Sequence, residues 1–210
     1  MKVLLAGATG LVGQHALAQL ITDTRCDQVI APTRRPLDMA HPKVVNPVVD
    51  FAALPADAAW WQVDGAICAL GTTMAQAGSK AAFVQVDHAF PMAVAQAVHT
   101  AGARVFALNS AAGASVRSPL FYSRVKGELE RDLQRLGFAS LTLVRPGLIG
   151  GTRSSPRRGE ELAARVLGAL HPCLPRAWRI NPAPRIASAL VGAVLAPQPG
   201  CRVIGAAQLS

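Results

Sequence analysis

Cysteine, long apolar runs and acidic residues are all scarce in this chain, and each scarcity removes a class of protein. The four cysteines among 210 residues, Cys26, Cys68, Cys173 and Cys201, show no C-x-x-C spacing, and the five histidines form no ligand pattern with them. Neither a zinc site nor a disulfide framework is expected, so no metal is assigned and a reducing, cytoplasmic setting is expected. The longest late apolar stretch, residues 186–196, has eleven residues, where a bilayer span needs about 20. The opening run at residues 3–6 is too short for the core of a secretory signal. A soluble protein without membrane attachment is expected, free of repeats and low-complexity segments, and its length suits one domain with at most a small appendage.

Twelve acids stand against 21 lysines and arginines, a formal charge of +9. The imbalance lies late: residues 1–144 hold twelve Lys and Arg with ten acids, whereas residues 145–210 hold nine Arg with only Glu160 and Glu161. Aromatic residues are missing there too, Trp178 excepted. A nucleic-acid surface interleaves stacking side chains with its cations, so no nucleic acid is expected as a partner. A solvated basic face is the plain alternative, and Arg153, Arg157 and Arg158 are candidates for attracting an anionic small-molecule substrate.

What the chain does have is glycine at its first turn. Residues 5–13 read Leu-Ala-Gly-Ala-Thr-Gly-Leu-Val-Gly, so Gly7, Gly10 and Gly13 follow an apolar run, and Leu11, Val12, Ala16, Leu17 and Leu20 then recur at helical spacing. Strand, glycine turn and helix stand in the order of a dinucleotide cradle. Glycines let the backbone turn tightly and approach a pyrophosphate, whose charge sits on the free amides and positive end of the helix. The spacing is G-x-x-G-x-x-G rather than the G-x-G-x-x-G most often quoted for dehydrogenases. Gly7, Thr9, Gly10, Leu11, Val12 and Gly13 are the expected cofactor contacts of this turn.

Short runs rich in Val, Ile and Leu recur at residues 3–6, 28–31, 44–49, 66–70, 104–108 and 141–144, and helical patterns at 11–20, 80–101 and 120–136 separate most of them. Strands alternating with helices imply right-handed crossovers and a parallel, doubly wound α/β sheet of Rossmann type. Pro91 lies inside a helical pattern, so a kink or a late start is expected there. After Gly150 come a basic loop, a helix near 160–170, a proline-broken stretch and a last helix near 184–195. The reading is one domain over residues 1–210, with 150–200 forming a small C-terminal substrate lid.

The second run ends Ala31-Pro32-Thr33-Arg34-Arg35, with no acid. A carboxylate there would accept the ribose hydroxyls of NAD, whereas arginine pairs with the extra phosphate of NADP and stacks on adenine. Thr33, Arg34 and Arg35 are therefore candidates for holding NADP(H) in preference to NAD(H); the alternative is two solvated loop arginines. Asp50, beside Phe51 at the end of the third run, is placed to meet the adenine edge, although an Asp there also caps turns.

Tyr122, the chain's one tyrosine, is followed four residues later by Lys126 on the same helical pattern. At that spacing Cβ atoms lie about 5–6 Å apart. A unit charge at about 4 Å contributes roughly 1 to 4 kcal/mol as the effective dielectric falls from about 80 to 20. That would bring a phenol from about 10 towards 7 or 8, making Tyr122 a general acid or base. Ser110 closes the fifth run twelve residues earlier, at the edge where open parallel sheets bind ligands, and a hydroxyl there can hold a carbonyl oxygen. A half-buried aromatic beside a solvated lysine, and a serine capping a strand, are the plain alternatives.

Gly7, Gly10, Gly13, Ser110, Tyr122 and Lys126 together resemble the short-chain dehydrogenase/reductase superfamily in its atypical branch. Cys68-Ala-Leu-Gly-Thr-Thr73, Val86-Asp87, Asn109-Ser-Ala-Ala-Gly-Ala114, Tyr122-Ser-Arg-Val-Lys-Gly-Glu-Leu-Glu130 and Val144-Arg-Pro-Gly147 resemble, over roughly residues 1–150, the Tat-interacting-protein oxidoreductase (NmrA-like) family and its bacterial relatives. The resemblance implies a Rossmann-type fold, NADP(H) binding and a catalytic set of Ser110, Tyr122 and Lys126, with Lys126 also bonding the nicotinamide ribose. It implies that Leu70, Gly71 and Thr72 line the cofactor after the fourth strand, and that Pro146, Gly147 and Leu148 pass the nicotinamide amide after the sixth. Asn109 departs from the family, which often has a serine there. An NADP(H)-dependent oxidoreductase of a small carbonyl or alcohol is expected, with Tyr122 transferring the proton. The alternatives are a non-catalytic, cofactor-binding redox sensor or scaffold and, less favoured, a sugar-nucleotide epimerase or dehydratase. The apolar helix faces leave a homodimer open.

Overall fold

The short apolar runs become the strands of one parallel sheet. The computed structural model describes residues 1–150 and 180–210. Its strands are β1 (Lys2–Ala6), β2 (Gln28–Ile30), β3 (Val44–Val45), β4 (Gly65–Cys68), β5 (Val105–Asn109), β6 (Ser140–Arg145), the short pair β7 (Ile149–Gly150) and β8 (Asn181–Pro182), and β9 (Gly200–Gly205). The main sheet runs β3-β2-β1-β4-β5-β6-β9 with every neighbour parallel, while β7 and β8 pair separately. Strand order reverses between β1 and β4, which is the crevice where sheets of this kind hold ligands.

Helices cover both faces, which is why the strands read as continuous apolar runs rather than alternating ones. On one face, α1 (Leu11–Thr22) and α6 (Ala183–Leu195) bury Leu17, Leu20, Ile186, Leu190 and Val194 against Val3, Leu5, Ile67 and Ala107. On the other, α4 (Phe90–Thr100) and α5 (Phe121–Leu136) bury Val94, Val98, Leu129 and Leu133 against Leu4, Ala66, Phe106 and Leu108. The period-2 alternation of a strand splits each run between the two cores.

Several boundaries depart from expectation. The third strand is only Val44–Val45 plus a bridge from Thr33 to Val48, because Pro47 has no N–H to give the ladder. The Asn46 side chain fills in, donating from Nδ2 to the Ala31 carbonyl at 2.6 Å and to Thr33 Oγ1 at 2.8 Å, while its Oδ1 accepts the Leu37 N–H at 2.8 Å. Residues 80–100 are helical throughout but not uniform: α3 (Lys80–Val84) passes into a π-turn over Gln85–Ala89 before α4. Pro91 cannot donate to the carbonyl four residues back, and the Phe90 N–H instead reaches the Gln85 carbonyl.

The segment expected to be a lid divides. Residues 180–210 belong to the main body, since α6 packs into the core and β9 adds a seventh strand beside β6 that the sequence pattern does not announce. The basic loop with Arg153, Arg157 and Arg158 and the expected helix near 160–170 lie outside the described residues. Leu190 is fully buried, so Leu190→Ala should lower unfolding free energy by about 2–5 kcal/mol in urea titration. A loss under about 0.5 kcal/mol, ordinary for an exposed position, would return α6 to the lid.

Candidate functional site

At the start of the crevice, side-chain-free backbone makes the contacts. Gly7 has φ +89°, and a Cβ on it would stand 2.6 Å from the Ala69 carbonyl carbon; a Cβ on Gly13 would stand 2.0 Å from the Gly7 carbonyl oxygen. Only glycine at both places lets the ends of β1 and β4 and the first turn of α1 converge. Gly10 caps α1 without a side-chain bond, and no acidic residue occupies the first turn. The first bond that closes the helix runs from the Gln14 N–H to the Gly10 carbonyl at 2.8 Å. The Leu11, Val12 and Gly13 amides before it have no helical acceptor, and with the helix dipole they form an anion receptor.

Past the turn, Arg34 and Arg35 are exposed and line an open groove of about 930 Å³ together with Ala8, Thr9 and Gln14. Thr33 does not join them. It is buried, its hydroxyl donates to the Arg35 carbonyl at 2.6 Å and it accepts from Asn46, so it shapes the loop that presents the arginines. Asp50 is exposed and its Oδ1 accepts the Ala52 N–H at 2.9 Å, the turn-capping role. Phe51 is buried with its ring 5.9 Å from that of Phe90, because its neighbours are core residues of the α4 side. Neither side chain faces the groove beside the arginines.

The most deeply buried ion pair among the described residues sits farther along the same edge. Lys126, on the buried side of α5, places Nζ 2.8 Å from Asp87 Oδ1, and both side chains are almost wholly inaccessible. Asp87 Oδ2 accepts the Thr72 N–H at 2.7 Å. A Cβ on Gly71 would lie 3.4 Å from Asp87 Oδ1 and 3.9 Å from Lys126 Nζ, so the Leu70-Gly71-Thr72 turn passes directly over the pair. Tyr122, one helical turn before Lys126, is 40% exposed and packs its ring 5.7 Å from Phe83.

The electrostatics reverse one expectation. Burial pushes the Tyr122 phenol above its ordinary value; Lys126 pulls it down, and the Asp87 carboxylate pushes it up again. Burial also draws the Lys126 ammonium down, but Asp87, with Tyr122, carries it above the usual lysine value. The fall towards 7 or 8 expected of the phenol does not occur, because burial outweighs the pull of Lys126 and Asp87, in contact with that lysine, adds to the rise.

Ser110 is also differently employed. Its place one residue past β5 keeps it on the α5 face, like Phe106 and Leu108, and its buried hydroxyl donates to Glu130 Oε1 at 2.5 Å. Glu130 in turn accepts a bidentate pair from Arg145, whose Nε lies 2.9 Å from Oε1. The one hydroxyl proton is committed, so Ser110 is not free to donate to a carbonyl oxygen. The Pro146-Gly147-Leu148 turn is held at the same edge: the Ala112 N–H donates to the Pro146 carbonyl and the Gly147 N–H to Asn181 Oδ1, each at 2.7 Å. Pro146 is buried, whereas Leu148 is 56% exposed.

Asp87, Glu130 and Asn181 are the site residues that pattern reading leaves without a role. For Glu130 a signal exists: it follows Lys126 by four residues, which puts a carboxylate on the helix face of Val125, Leu129 and Leu133. Asn181, fully buried, has no such local signal, because its partners Gly147 and Ala206 are distant in sequence.

No family model matches the chain. The mitochondrial protein fmp52 of Emericella nidulans is 35% identical over 192 residues, covering 84% of this chain and 80% of its own. The protein HTATIP2 of Rattus norvegicus is 34% identical over 181 residues, covering 84% of this chain and 73% of its own. The chain belongs to their family. That places it in the NmrA-like, atypical branch of the short-chain dehydrogenase/reductase superfamily, as its motifs suggest. Among solved structures, MoeE5 in complex with UDP-glucuronic acid and NAD superposes with a TM-score of 0.76 at 18% identity, covering 98% of this chain and 76% of its own. At that identity the likeness establishes the Rossmann-type fold. The fmp52 members of the family are named as mitochondrial, which overturns the expected cytoplasmic location. The cysteine spacing on which that expectation rested does not distinguish one reducing compartment from another.

Spectrophotometric titration of the single tyrosine checks the electrostatics of this family member. Tyr122 should ionise above its ordinary value of 10.0 in the protein without nucleotide, the neutral phenol being the form that burial favours. A midpoint near 7 or 8 would mean that Lys126 governs it after all.

Proposed function

We propose that this chain is an NADP(H)-dependent oxidoreductase that interconverts a small carbonyl compound and its alcohol, with Tyr122 exchanging the proton. The observation that carries the reading is the convergence, along one sheet edge, of the glycine cradle, the Gly71-Thr72 turn and the Tyr122–Lys126–Asp87 cluster. The cradle fits a dinucleotide: a Cβ at Gly7 or Gly13 would break it, and the amides of Leu11, Val12 and Gly13 would receive a pyrophosphate. Arg34 and Arg35, which follow β2 where an NAD-binding carboxylate would stand, favour the extra phosphate of NADP, and Asp38 is the carboxylate that lines the same groove. MoeE5 is in complex with NAD, which supports a nicotinamide cofactor but not that preference.

Bound nicotinamide in its reduced form would supply hydride to the carbonyl carbon. Tyr122 gives its proton to the carbonyl oxygen as the alcohol forms, and its exposure lets solvent return the proton. A phenol held above its ordinary value is protonated at neutral pH, the form that gives the proton in the reduction direction. Lys126 would hold the nicotinamide ribose, as the family resemblance implies, and with Ser110 committed to Glu130, Tyr122 is the donor among the described residues that would meet the developing oxyanion. That same commitment, and the raised phenol, favour a second reading in which the protein senses cofactor without turnover. A sugar-nucleotide epimerase or dehydratase has less support, since the solved structures so named share only 13–19% identity with this chain, a likeness that carries the fold alone.

NADPH should bind more tightly than NADH in fluorescence titrations, and Arg34→Ala with Arg35→Ala should weaken NADPH about 10- to 100-fold, as expected for charge-assisted phosphate contacts, while leaving NADH unchanged. Equal affinities in the unmodified protein would remove the NADP assignment. In an NADPH-oxidation screen over aldehydes, ketones and quinones, Tyr122→Phe should lower turnover by about 10²- to 10⁴-fold. Turnover unaffected by that substitution would exclude the proton role, and no turnover with any carbonyl would favour the sensor.

A further inference from the structure

The π-turn over Gln85–Ala89 delivers a carboxylate to a place where a regular helix face would pack apolar side chains. Asp87 is 1% exposed, and its two oxygens are divided between two elements: Oδ1 takes Lys126 Nζ of α5 at 2.8 Å, and Oδ2 takes the Thr72 N–H of the turn after β4 at 2.7 Å. We infer that Asp87 is a positioning residue of this site, fixing Lys126 against the Gly71-Thr72 turn and pairing its charge, so that Tyr122 faces an ion pair and not a lone lysine. The inference deepens the proposed oxidoreductase reading and rests on it for the meaning of Tyr122.

Among the described residues, the groups that face this centre are few. From α5 come Tyr122 and Lys126, from the π-turn Asp87, and from β4 the thiol of Cys68, which interacts with both members of the pair. Burial pushes that thiol up to about 11, so it stays neutral across the physiological range. Phe83 closes the remaining side with an apolar ring. The phenol therefore sees two opposite charges in contact with each other, and a dipole falls off faster with distance than either charge alone. A neutral residue at 87 would expose Tyr122 to the full lysine charge. A neutral residue at 126 would expose it to a lone carboxylate.

Because Tyr122 is the one tyrosine, its ultraviolet titration reads the inference without any substrate. Asp87→Asn should lower the midpoint by about one to two units, the usual effect of an uncompensated cation nearby. Lys126→Met should raise it, and the double variant, Asp87→Asn with Lys126→Met, should return it towards that of the unmodified protein. The double variant replaces a buried ion pair by neutral groups of similar volume, a change that folded proteins commonly tolerate, so the comparison survives if the single Asp87→Asn variant does not fold. A midpoint unmoved in folded Asp87→Asn, or a double variant indistinguishable from Lys126→Met, overturns the inference. Both outcomes are separate from the turnover screen, where failure would count against the oxidoreductase reading while leaving the electrostatic role of Asp87 intact.

Discussion

Backbone against backbone at Gly7 and Gly13 is the contact on which the rest of the structure depends. A Cβ at Gly13 would fall within bonding distance of the Gly7 carbonyl oxygen, so no side chain can be accommodated and no neighbouring rotamer can relieve it. Because α1 can start that close to β1, its free amides open directly onto the crevice between β1 and β4. The same closeness presses the turn against Ala69, and from Ala69 the chain runs into Leu70, Gly71 and Thr72, the turn that covers Lys126 and Asp87. One steric constraint thus aligns the anion receptor and the ionisable cluster on a common edge.

Two buried carboxylates then organise that edge. Asp87 ties Lys126 to the turn after β4, and Glu130 ties Ser110, just past β5, to Arg145 of β6. Both carboxylates are removed from water, where isolated charge is unfavourable and partnered charge is directional, although Arg145 itself stays 31% exposed. Each network therefore fixes a strand end as well as a side chain. The two differ in what they leave available: Glu130 consumes the Ser110 hydroxyl, whereas Asp87 leaves Lys126 with further donors and Tyr122 with an exposed edge.

The fold was legible wherever one segment carried its own signal. The glycine turn, the buried strands at β1, β4, β5 and β6, and the helix carrying Tyr122 and Lys126 all follow from local periodicity and spacing. Legibility failed where a neighbour distant in sequence decides the outcome. The edge strand β9 is largely exposed and contains Arg202, so it lacks the apolar run that marks a central strand. Ser110 reads as a donor at a strand end until Glu130 is seen beneath it, and Tyr122 beside Lys126 reads as an acidified phenol until Asp87 arrives from the π-turn. Phe51 and Asp50 follow the same rule on a smaller scale, one drawn into the core by Phe90 and the other occupied by its own turn.

The position of α6 has a consequence for how the molecule comes to be folded. The helix packs against α1 from the far end of the chain, and residues 140–145 pair with residues 200–205. A nascent chain therefore exposes the apolar flank of α1 until some 160 further residues have been made. Contacts of such wide sequence separation slow folding and lengthen the time during which sticky surface is unprotected. For this architecture, newly made chains are more exposed to aggregation than mature ones, and the demand on chaperones falls during synthesis rather than after it.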